Sequence, residues 1–389
     1  MSFYRHANEK IGTIENIYNG DMLPDLAINT FRNIERLFPT RSIPASPTPK
    51  PLEKSPFSLK PFKSQIKDKA TETEDQNYDL YDYLTLNSVT GIVVLKEGGM
   101  VYENYLRGNG PDTRWMSMSV AKSITSTLVG VAVKEGHIES IDDPTAKYVP
   151  VLKGSAYENT TVRHILGMNS GVKWDETYTN PDSDRRDFLR AQVSKEPGAL
   201  LKVMSELPSA GEPGNIHNYS TGETTVASEI VIGATGKNLS DYLSEKIWEP
   251  YGMESEAAWW LDSQDGNEIG GSGFSAVLRD YARFGQFILD GGEIDGKRLL
   301  PDGWVEAATQ ATTLDNGETV NYGLMWWPAW TEKSKKHKAF QAFGIHGQVL
   351  HIDPSEEVVV AISSARPKPK GTQPIDDMLF IEDLIENIK

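Results

Sequence analysis

The sequence predicts an α+β fold in which the two ends of the chain build one antiparallel sheet and a helical region is inserted between them. The first observation is a hairpin, because the apolar runs at 91–96 and 100–106 flank the turn Glu97–Gly99. The second observation is another pair of apolar runs, at 348–352 and 358–363. The third is that the residues between these two hairpins are mostly helical in pattern.

Helical periodicity supports the inserted region and predicts helices beside the sheet. The segment 119–135 carries Ile124, Leu128 and Val131 on one stripe. Further helices are predicted at 226–233, 239–247, 277–289 and 375–388. The last of these ends the chain with an apolar stripe that must be covered, so terminal helices are expected to flank the sheet.

Residues 1–75 differ from the rest of the chain. Seven prolines lie between Pro39 and Pro61, and proline removes amide donors and favours extended backbone. This stretch is therefore predicted to be a linker or an arm over the main body, and a ligand for a proline-recognition module is disfavoured. A short helix is expected before it, within 21–38. The predicted parts of the chain are an N-terminal Pro-rich extension at 1–75, an α/β subdomain at 76–115 and 276–389, and a mainly helical subdomain at 116–275.

Composition excludes several classes of function. The 389 residues carry a formal charge of −16, from 39 Lys and Arg against 55 Asp and Glu, and no dense basic block offers a face to nucleic acid or to an anionic membrane. Cysteine is absent, which excludes a thiol nucleophile and any Cys-ligated metal. No secretory signal or membrane span is recognisable, so a cytoplasmic protein without metal or cofactor is expected.

The strongest chemical signal is Ser119–Lys122, an S-x-x-K at the start of a predicted helix. Positions i and i+3 share one helix face, about 5–6 Å apart at Cβ, so a partly desolvated lysine amine can take the serine proton. The same pattern at Ser64–Lys67 lies in the Pro-rich stretch, where no helix start is expected. Alone, the pattern also fits a capping serine and a solvated lysine. Two strands before Ser119 and an apolar helix after it favour catalysis.

The segment WMSMSVAKS at 115–123 resembles the nucleophile segment of the serine β-lactamase-like superfamily. The likeness is closest to class C β-lactamases, family VIII carboxylesterases and 6-aminohexanoate-dimer hydrolases. Further matching segments follow in order at 136–150, 161–171, 247–253 and 278–285. The resemblance covers roughly residues 80–365. It implies a β-lactamase/D,D-peptidase-like fold and a Ser–Lys–Tyr catalytic set.

The resemblance implies two further parts of the catalytic set. Tyr219, in the run HNYST, stands where relatives place a tyrosine opposite the Ser–Lys pair, and it would pass a proton to the leaving group. Thr221 replaces the asparagine that is usual there, which argues against efficient β-lactam turnover. The run GIHGQ at 344–348 replaces the lactamase K-T-G. By the same resemblance, the backbone amides of Ser119 and Ile345 would form the oxyanion hole.

Four other residues are expected at the substrate site. They are Tyr178 as a hydrogen-bond donor on the loop over the site, His346 and Gly347 in the GIHGQ run, and Trp327 as a pocket wall. The alternative for Tyr178 is packing on Trp174. His346 also permits a Ser-His-Asp interpretation, which we disfavour because Lys122 already supplies a base and no G-x-S-x-G elbow precedes any serine. No second acidic residue for binding an amino-terminus can be placed.

These features predict a metal-free serine hydrolase that acts through an acyl-enzyme on a small-molecule ester or amide. Short-chain carboxylic esters are favoured, followed by linear amides such as 6-aminohexanoate oligomers, and then by β-lactams or D,D-peptides. The alternative that is not an enzyme is a non-catalytic binding module of the same fold. An intact set of Ser119, Lys122 and Tyr219 argues against it. A homodimer is left open.

Overall fold

The structure is a computed structural model that describes residues 4–67 and 75–389. Within these residues the α-helices are α1 (Ile14–Asn19), α2 (Pro24–Phe31), α3 (Leu80–Leu86), α4 (Val120–Lys134), α5 (Thr145–Tyr148), α6 (Val162–Leu166), α7 (Asp184–Ser194), α8 (Ala199–Glu206), α9 (Thr221–Thr235), α10 (Leu239–Leu243), α11 (Leu278–Leu289), α12 (Trp304–Thr309), α13 (Glu332–Lys336) and α14 (Asp377–Glu386). None of the helices described is long and apolar enough to cross a bilayer.

The strands of the same residues are β1 (Thr40–Ile43), β2 (Ser64–Lys67), β3 (Asp75–Tyr78), β4 (Val89–Lys96), β5 (Gly99–Tyr105), β6 (Arg114–Met116), β7 (Ala257–Trp260), β8 (Phe274–Val277), β9 (Glu293–Ile294), β10 (Lys297–Arg298), β11 (Thr312–Thr313), β12 (Thr319–Val320), β13 (Trp327–Pro328), β14 (Phe340–Gly344), β15 (Gln348–Asp353) and β16 (Val358–Ser364). Short 3₁₀ turns lie at Ile34–Arg36 and Pro150–Leu152.

The main sheet has six antiparallel strands in the order β13-β14-β15-β16-β4-β5. The two predicted hairpins are confirmed as β4–β5 and β15–β16, with Val93 opposite Glu103 and Leu350 opposite Ala361. Strands β16 and β4 then pair with each other, which places Ala361 opposite Val93. The N-terminal and C-terminal hairpins therefore form one continuous sheet, as the sequence predicts.

The two faces of this sheet pack against different helices. Val93 and Leu95 of β4 belong to the large apolar cluster that includes α11, whereas Ile92 and Val94 belong to the cluster that includes α3 and α14. This division follows from the two-residue period of a strand. Because both faces are covered, β4 and β16 are buried along nearly their whole length. The helices predicted at 277–289 and 375–388 are confirmed as α11 and α14.

The inserted helical region is organised around α4, which confirms the helix predicted at 119–135. Thirteen of its 15 residues are buried, so α4 is a core helix covered on all sides rather than a surface helix. The helix predicted at 239–247 is shorter than expected. Helix α10 ends at Leu243, and a π-helical turn follows at Ser244–Trp248. There the Glu249 amide bonds the carbonyl of Ser244, five residues back, at 3.1 Å.

Residues 4–63, which we call the N-terminal arm, pack into the body of the protein. Strand β1 pairs with β7 at the edge of a second antiparallel sheet, ordered β1-β7-β8-β6. Ile17, Tyr18 and Phe31 are no more than 1% exposed and belong to the large apolar cluster. The short helix expected within 21–38 is α2. Of the two alternatives for this stretch, the packed arm is the one observed, and it contributes to the core.

The second S-x-x-K, at Ser64–Lys67, does not begin a helix. It forms strand β2, which pairs antiparallel with β3. On a strand the backbone positions i and i+3 lie about 10 Å apart, farther than on a helix. Of the two copies of the pattern, Ser119–Lys122 is the one whose backbone is helical.

A buried ion pair ties α14 to the rest of the fold. Arg366 Nη2 lies 2.6 Å from Asp377 Oδ1, and both side chains are less than 10% exposed. The same oxygen accepts hydrogen bonds from the Tyr83 hydroxyl at 2.7 Å and from Asn87 Nδ2 at 3.1 Å. These contacts join α14, α3 and the segment that follows β16.

We expect Asp377→Ala to destabilise the protein by about 3–5 kcal/mol, because it leaves the Arg366 charge buried without a partner. The measurement is the free energy of unfolding from denaturant titration. The matched control is Glu386→Ala, at the end of the same helix, whose ion pair with Lys333 is exposed and should contribute about 0–1 kcal/mol. Equal effects of the two substitutions would contradict the assigned role of Asp377.

Candidate active site

The nucleophile candidate lies where strand β6 turns into helix α4. Met118 has a left-handed backbone, with φ +44°, a conformation that costs a residue other than glycine about 1–2 kcal/mol. Ser119 then adopts helical backbone angles, and its side chain makes no capping hydrogen bond to the first turn of α4. The capping alternative for this serine is therefore wrong, and its hydroxyl is available for other contacts.

Lys122 points back toward Ser119, as the i, i+3 spacing predicts. Its Nζ donates to Ser119 Oγ at 2.9 Å and to the Gly271 carbonyl at 2.9 Å. The residue is 1% exposed, so the alternative of a solvated lysine is wrong as well. Among the described residues Lys122 forms no salt bridge, and the Glu176 carboxylate acts on it only through space. The buried charge is therefore held by neutral hydrogen-bond acceptors alone.

Burial lowers the pKa of Lys122 from its usual value to about 7, because the charged form loses its hydration. The carboxylate of Glu176 acts in the opposite direction, and the positive charges of Arg185 and Lys370 lower the pKa further. Near neutral pH a substantial fraction of the lysine is therefore a free amine. A free amine in contact with a serine hydroxyl can accept its proton, which is the first requirement for a nucleophilic serine.

Tyr219 completes a three-residue cluster. Its ring centre lies 5.3 Å from Lys122 Nζ, and its ring packs against Tyr322 and Trp327 at centroid distances of 5.8 and 5.6 Å. Burial raises the pKa of Tyr219, and its contact with the hydroxyl of Ser119 acts in the opposite direction. The phenol is thus protonated at neutral pH, and it can donate a proton but not act as a resting base. The structure brings together all three predicted catalytic side chains.

The run GIHGQ forms the turn between β14 and β15, directly beside the nucleophile. A Cβ placed on Gly344 would lie 2.4 Å from the carbonyl oxygen of Ser117, so the strand approaches the nucleophile turn as closely as only glycine allows. Neither the Ser119 nor the Ile345 backbone N–H has a hydrogen-bond acceptor among the described residues. An oxyanion hole requires two such free amides, and these two are the pair that the sequence predicts.

His346 contacts the protein backbone rather than Ser119. Its ring is 1% exposed, with Nδ1 at 2.7 Å from the Arg366 carbonyl and Nε2 at 2.9 Å from the Ile17 carbonyl. Burial lowers its pKa. The Ser-His-Asp alternative is wrong, because both ring nitrogens face backbone carbonyls and neither faces a serine hydroxyl. The predicted contact of His346 with substrate is corrected for the same reason: its side chain shapes the turn that carries Ile345 and Gly347.

The remaining predicted substrate residues form aromatic surfaces around the cluster. Trp327 is half-buried and packs edge-on against Tyr322 at 4.7 Å. Tyr178 is 7% exposed, and its ring stacks on Tyr18 of α1 at 6.0 Å. The alternative partner for Tyr178 was Trp174, which instead packs against Phe188. Gly347 follows His346 with a left-handed backbone, φ +89°.

Sequence analysis missed Glu176, an acidic residue within reach of the cluster. Its carboxylate accepts hydrogen bonds from Trp174 Nε1 at 2.5 Å, from the Thr221 amide at 2.8 Å and from the Thr221 hydroxyl. The threonine that replaces the usual asparagine thus anchors the loop that carries Tyr178. No local pattern signals this contact, because the two residues lie 45 positions apart in the sequence.

Sequence analysis also missed Arg185 and Tyr18. Arg185 is 1% exposed, lies over the Tyr18 ring at 4.3 Å and donates to the Tyr18 hydroxyl. Neither residue belongs to a recognisable motif, and Tyr18 lies outside the stretch that carries the resemblance. As for metals, no group of three or more His, Asp or Glu side chains in the described ranges is arranged to hold an ion.

Comparisons with known proteins agree with this geometry. A family model described as Beta-lactamase matches residues 88–381. The 6-aminohexanoate-dimer hydrolase of Paenarthrobacter ureafaciens is 31% identical over 305 residues, which cover 75% of this chain and 76% of that protein.

Solved structures show the same fold. A Bacillus anthracis protein, provisionally named a 6-aminohexanoate-dimer hydrolase, superposes with a TM-score of 0.79 at 21% identity, over 96% of this chain and 97% of its own. A family VIII carboxylesterase superposes with a TM-score of 0.58 at 17% identity, over 76% of this chain and 90% of its own. The predicted β-lactamase/D,D-peptidase-like fold is confirmed.

The pKa of Lys122 predicts how the reactivity of Ser119 depends on pH. We expect labelling of Ser119 by a fluorophosphonate probe to speed up as pH rises, with a midpoint near 7, because only the neutral amine accepts the serine proton. Below the midpoint the rate should fall about tenfold per pH unit. The readout is the labelling rate between pH 5 and 9, with the labelled peptide mapped by mass spectrometry.

The matched pair of variants for this experiment lies on one helix. Lys122→Met should remove the pH-dependent labelling, whereas Lys134→Met, at the exposed end of α4, should leave the profile unchanged. A labelling rate that is flat across this pH range in the unmodified protein would show that no group with a pKa near 7 activates Ser119.

Proposed function

Because the chain belongs to the beta-lactamase family, we propose that it is a serine hydrolase that cleaves carboxylic esters or linear amides through an acyl-enzyme on Ser119. The observation that carries the proposal is the 2.9 Å contact between Lys122 Nζ and Ser119 Oγ, made by a buried lysine without a neighbouring carboxylate. A lysine with a purely structural role would not stabilise the fold in this position, because burial without a counter-ion disfavours its charged form.

In the first half of the reaction, Ser119 Oγ forms a bond to the substrate carbonyl carbon while Lys122 takes the hydroxyl proton. The electron pair displaced from the carbonyl double bond moves onto the carbonyl oxygen. The backbone amides of Ser119 and Ile345, which have no acceptor among the described residues, would donate to this oxyanion. Losing one donor of this kind typically costs about 3–4 kcal/mol of transition-state stabilisation.

In the second half, the tetrahedral intermediate collapses and the bond to the leaving group breaks. Tyr219 donates its proton to the departing nitrogen or oxygen, and Lys122 passes the proton that it took from Ser119 to the Tyr219 oxygen, which restores the phenol and the neutral amine. The acyl group is then bound to Ser119 as an ester. Water attacks this ester with the same residues acting in reverse order, which releases the acid and restores the serine hydroxyl.

The surfaces beside the cluster favour linear substrates over β-lactams. Trp327 is half-buried and offers an aromatic surface for an aliphatic chain, and Tyr322 packs against it at 4.7 Å. The amide and hydroxyl of Thr221 are both engaged by Glu176, so neither is free to hold a lactam side-chain amide. The 31%-identical relative is named for hydrolysis of 6-aminohexanoate dimer, a linear amide. We therefore place linear amides beside short-chain esters and ahead of lactams.

The direct test replaces the nucleophile. We expect Ser119→Ala to lower kcat/KM for p-nitrophenyl butyrate and for 6-aminohexanoate dimer by about 10³-fold or more. Ser64→Ala, in the S-x-x-K copy on β2, is the matched control and should retain wild-type rates. Turnover of both substrates at the wild-type rate by Ser119→Ala would refute the proposal. Nitrocefin in the same assay separates a lactamase from an amidase or esterase.

The role of Tyr219 predicts a dependence on the leaving group. Tyr219→Phe should lower kcat/KM for an amide by about 10²- to 10⁴-fold, because an amine departs only when protonated. Hydrolysis of p-nitrophenyl butyrate should fall much less, because p-nitrophenolate departs without a proton. Tyr157→Phe is the control, because this buried tyrosine has no hydrogen-bond partner for its hydroxyl in the part of the chain that the structure describes. Equal losses on the two substrates would exclude proton donation by Tyr219.

A further inference from the structure

We propose that helix α1 of the N-terminal arm forms one wall of the catalytic site and helps to set which substrates it accepts. Tyr18 acts as a positioning residue for Tyr178, and the backbone of α1 supports the turn of the oxyanion hole. The inference rests on the proposed function, since it concerns the same Ser119 centre. It also goes beyond that function, because the arm lies outside residues 88–381, which carry the family match.

The first support is a stack of four side chains beside the site. The rings of Tyr18 and Tyr178 stack at 6.0 Å with an interplanar angle of 21°. The guanidinium of Arg185 lies 4.3 Å from the centre of the Tyr18 ring, and the ammonium of Lys370 lies 5.1 Å from the centre of the Tyr178 ring. Each cation thus faces an aromatic ring, which is an attractive arrangement. Tyr178 is held between a ring from the arm and a cation from the C-terminal segment.

The second support is the dependence of Arg185 on Tyr18. Arg185 is 1% exposed, and its Nε and Nη1 atoms have no hydrogen-bond partner among the described residues. Its Nη2 donates to the Tyr18 hydroxyl, and Glu176 lies 3.9 Å from its Nε. A buried guanidinium with so few partners is costly unless those it has are kept. Tyr18 therefore holds in place the loop whose two ends carry Glu176 and Arg185 and whose middle carries Tyr178.

The third support is the contact of α1 with the oxyanion turn. The Ile17 carbonyl lies 2.9 Å from His346 Nε2, and the Arg366 carbonyl lies 2.7 Å from the other ring nitrogen. His346 has a left-handed backbone, φ +64°, and lies next to Ile345 in the chain. The ring of the residue that follows Ile345 therefore lies between one carbonyl of the arm and one carbonyl of the segment after β16, and as a neutral imidazole it donates to one of the two.

The end of α1 also joins the two loops that border the site. The Gly20 carbonyl accepts from Lys368 Nζ at 2.6 Å, and Asn19 Oδ1 accepts from Arg186 Nη1 at 2.8 Å. Gly20 ends the helix in the left-handed conformation, and a Cβ there would lie 2.9 Å from the Pro367 carbonyl oxygen. The end of α1 and its capping residue Gly20 thus contact Arg186 on one side and Lys368 on the other.

The experiment replaces Tyr18 and compares a short with an extended substrate. In Tyr18→Leu, labelling of Ser119 by fluorophosphonate and hydrolysis of p-nitrophenyl acetate should fall much less than hydrolysis of the extended substrate, because neither needs Tyr178. Hydrolysis of 6-aminohexanoate dimer should fall about 10- to 100-fold, mainly through KM, because a misplaced Tyr178 no longer meets the extended chain. Tyr18→Phe keeps the ring stack but loses the bond to Arg185, and it should give a smaller loss of the same kind.

The matched control lies in the same arm. Phe38→Leu weakens the packing of Phe38 on Trp260, whose ring centres lie 5.0 Å apart. The ring contacts of Tyr178 are made with Tyr18 and Lys370 instead. Phe38→Leu should lower the unfolding temperature without changing the ratio of the two activities. If Tyr18→Leu does not fold, Tyr18→Phe still carries the test, since only a bond to Arg185 is removed.

The outcomes separate this inference from the proposed function. The inference is overturned if the Tyr18 variants lower both activities by the same factor, or lower neither, while Ser119→Ala is inactive. The proposed function fails instead if Ser119→Ala remains active, whatever the Tyr18 variants do. A selective loss of the extended substrate, restored in part by Tyr18→Phe, supports the inference.

Discussion

The site depends on one constraint, which is that Lys122 is buried beside Ser119 without a carboxylate to neutralise it. Its ammonium has two neutral acceptors at 2.9 Å, the Ser119 hydroxyl and the Gly271 carbonyl. Water would solvate the charge better than these two groups do. The buried ammonium therefore loses its proton more readily than the ammonium of an exposed lysine. The same burial that costs stability therefore produces a base that can act near neutral pH.

Several parts of the fold keep Lys122 buried and lower its pKa. Helix α4 is buried almost throughout, which keeps water away from Lys122 and holds it at a fixed distance from Ser119. Two further cations near the site, Arg185 and Lys370, also lower the pKa of Lys122. Both flank the tyrosine stack in which Tyr18 and Tyr178 face each other. The groups that favour the neutral lysine and those that position the substrate loop are therefore partly the same.

The elements that could be predicted from the sequence are those set by local periodicity. The two hairpins follow from short apolar runs around turns, and α4 follows from a stripe of three apolar residues after Ser119. The Ser–Lys contact is also local, because helix geometry dictates the approach of positions i and i+3. Tyr219 and Ile345 are different, since no spacing links them to Ser119, and only the resemblance to a family pointed to them.

The parts that could not be predicted depend on contacts between distant segments. Glu176 and Thr221 bond across 45 positions, and Arg185 meets Tyr18 across 167. A buried arginine on the otherwise polar helix α7 has no periodic signal, and a tyrosine in a proline-rich arm has no motif. The π-helical turn after α10 depends on hydrogen bonds between residues five apart, such as Glu249 to Ser244, which residue propensities do not encode.

The central claim is that Lys122 is a neutral amine when the site works, and carbon NMR of the lysine side chains tests it most directly. The protein is labelled with ¹³C at lysine Cε, the Lys122 signal is assigned by its loss in Lys122→Met, and its shift is followed as pH is varied. The account predicts a titration near pH 7 for this one lysine. A Lys122 signal that titrates near 10.4, like an ordinary exposed lysine, would contradict it.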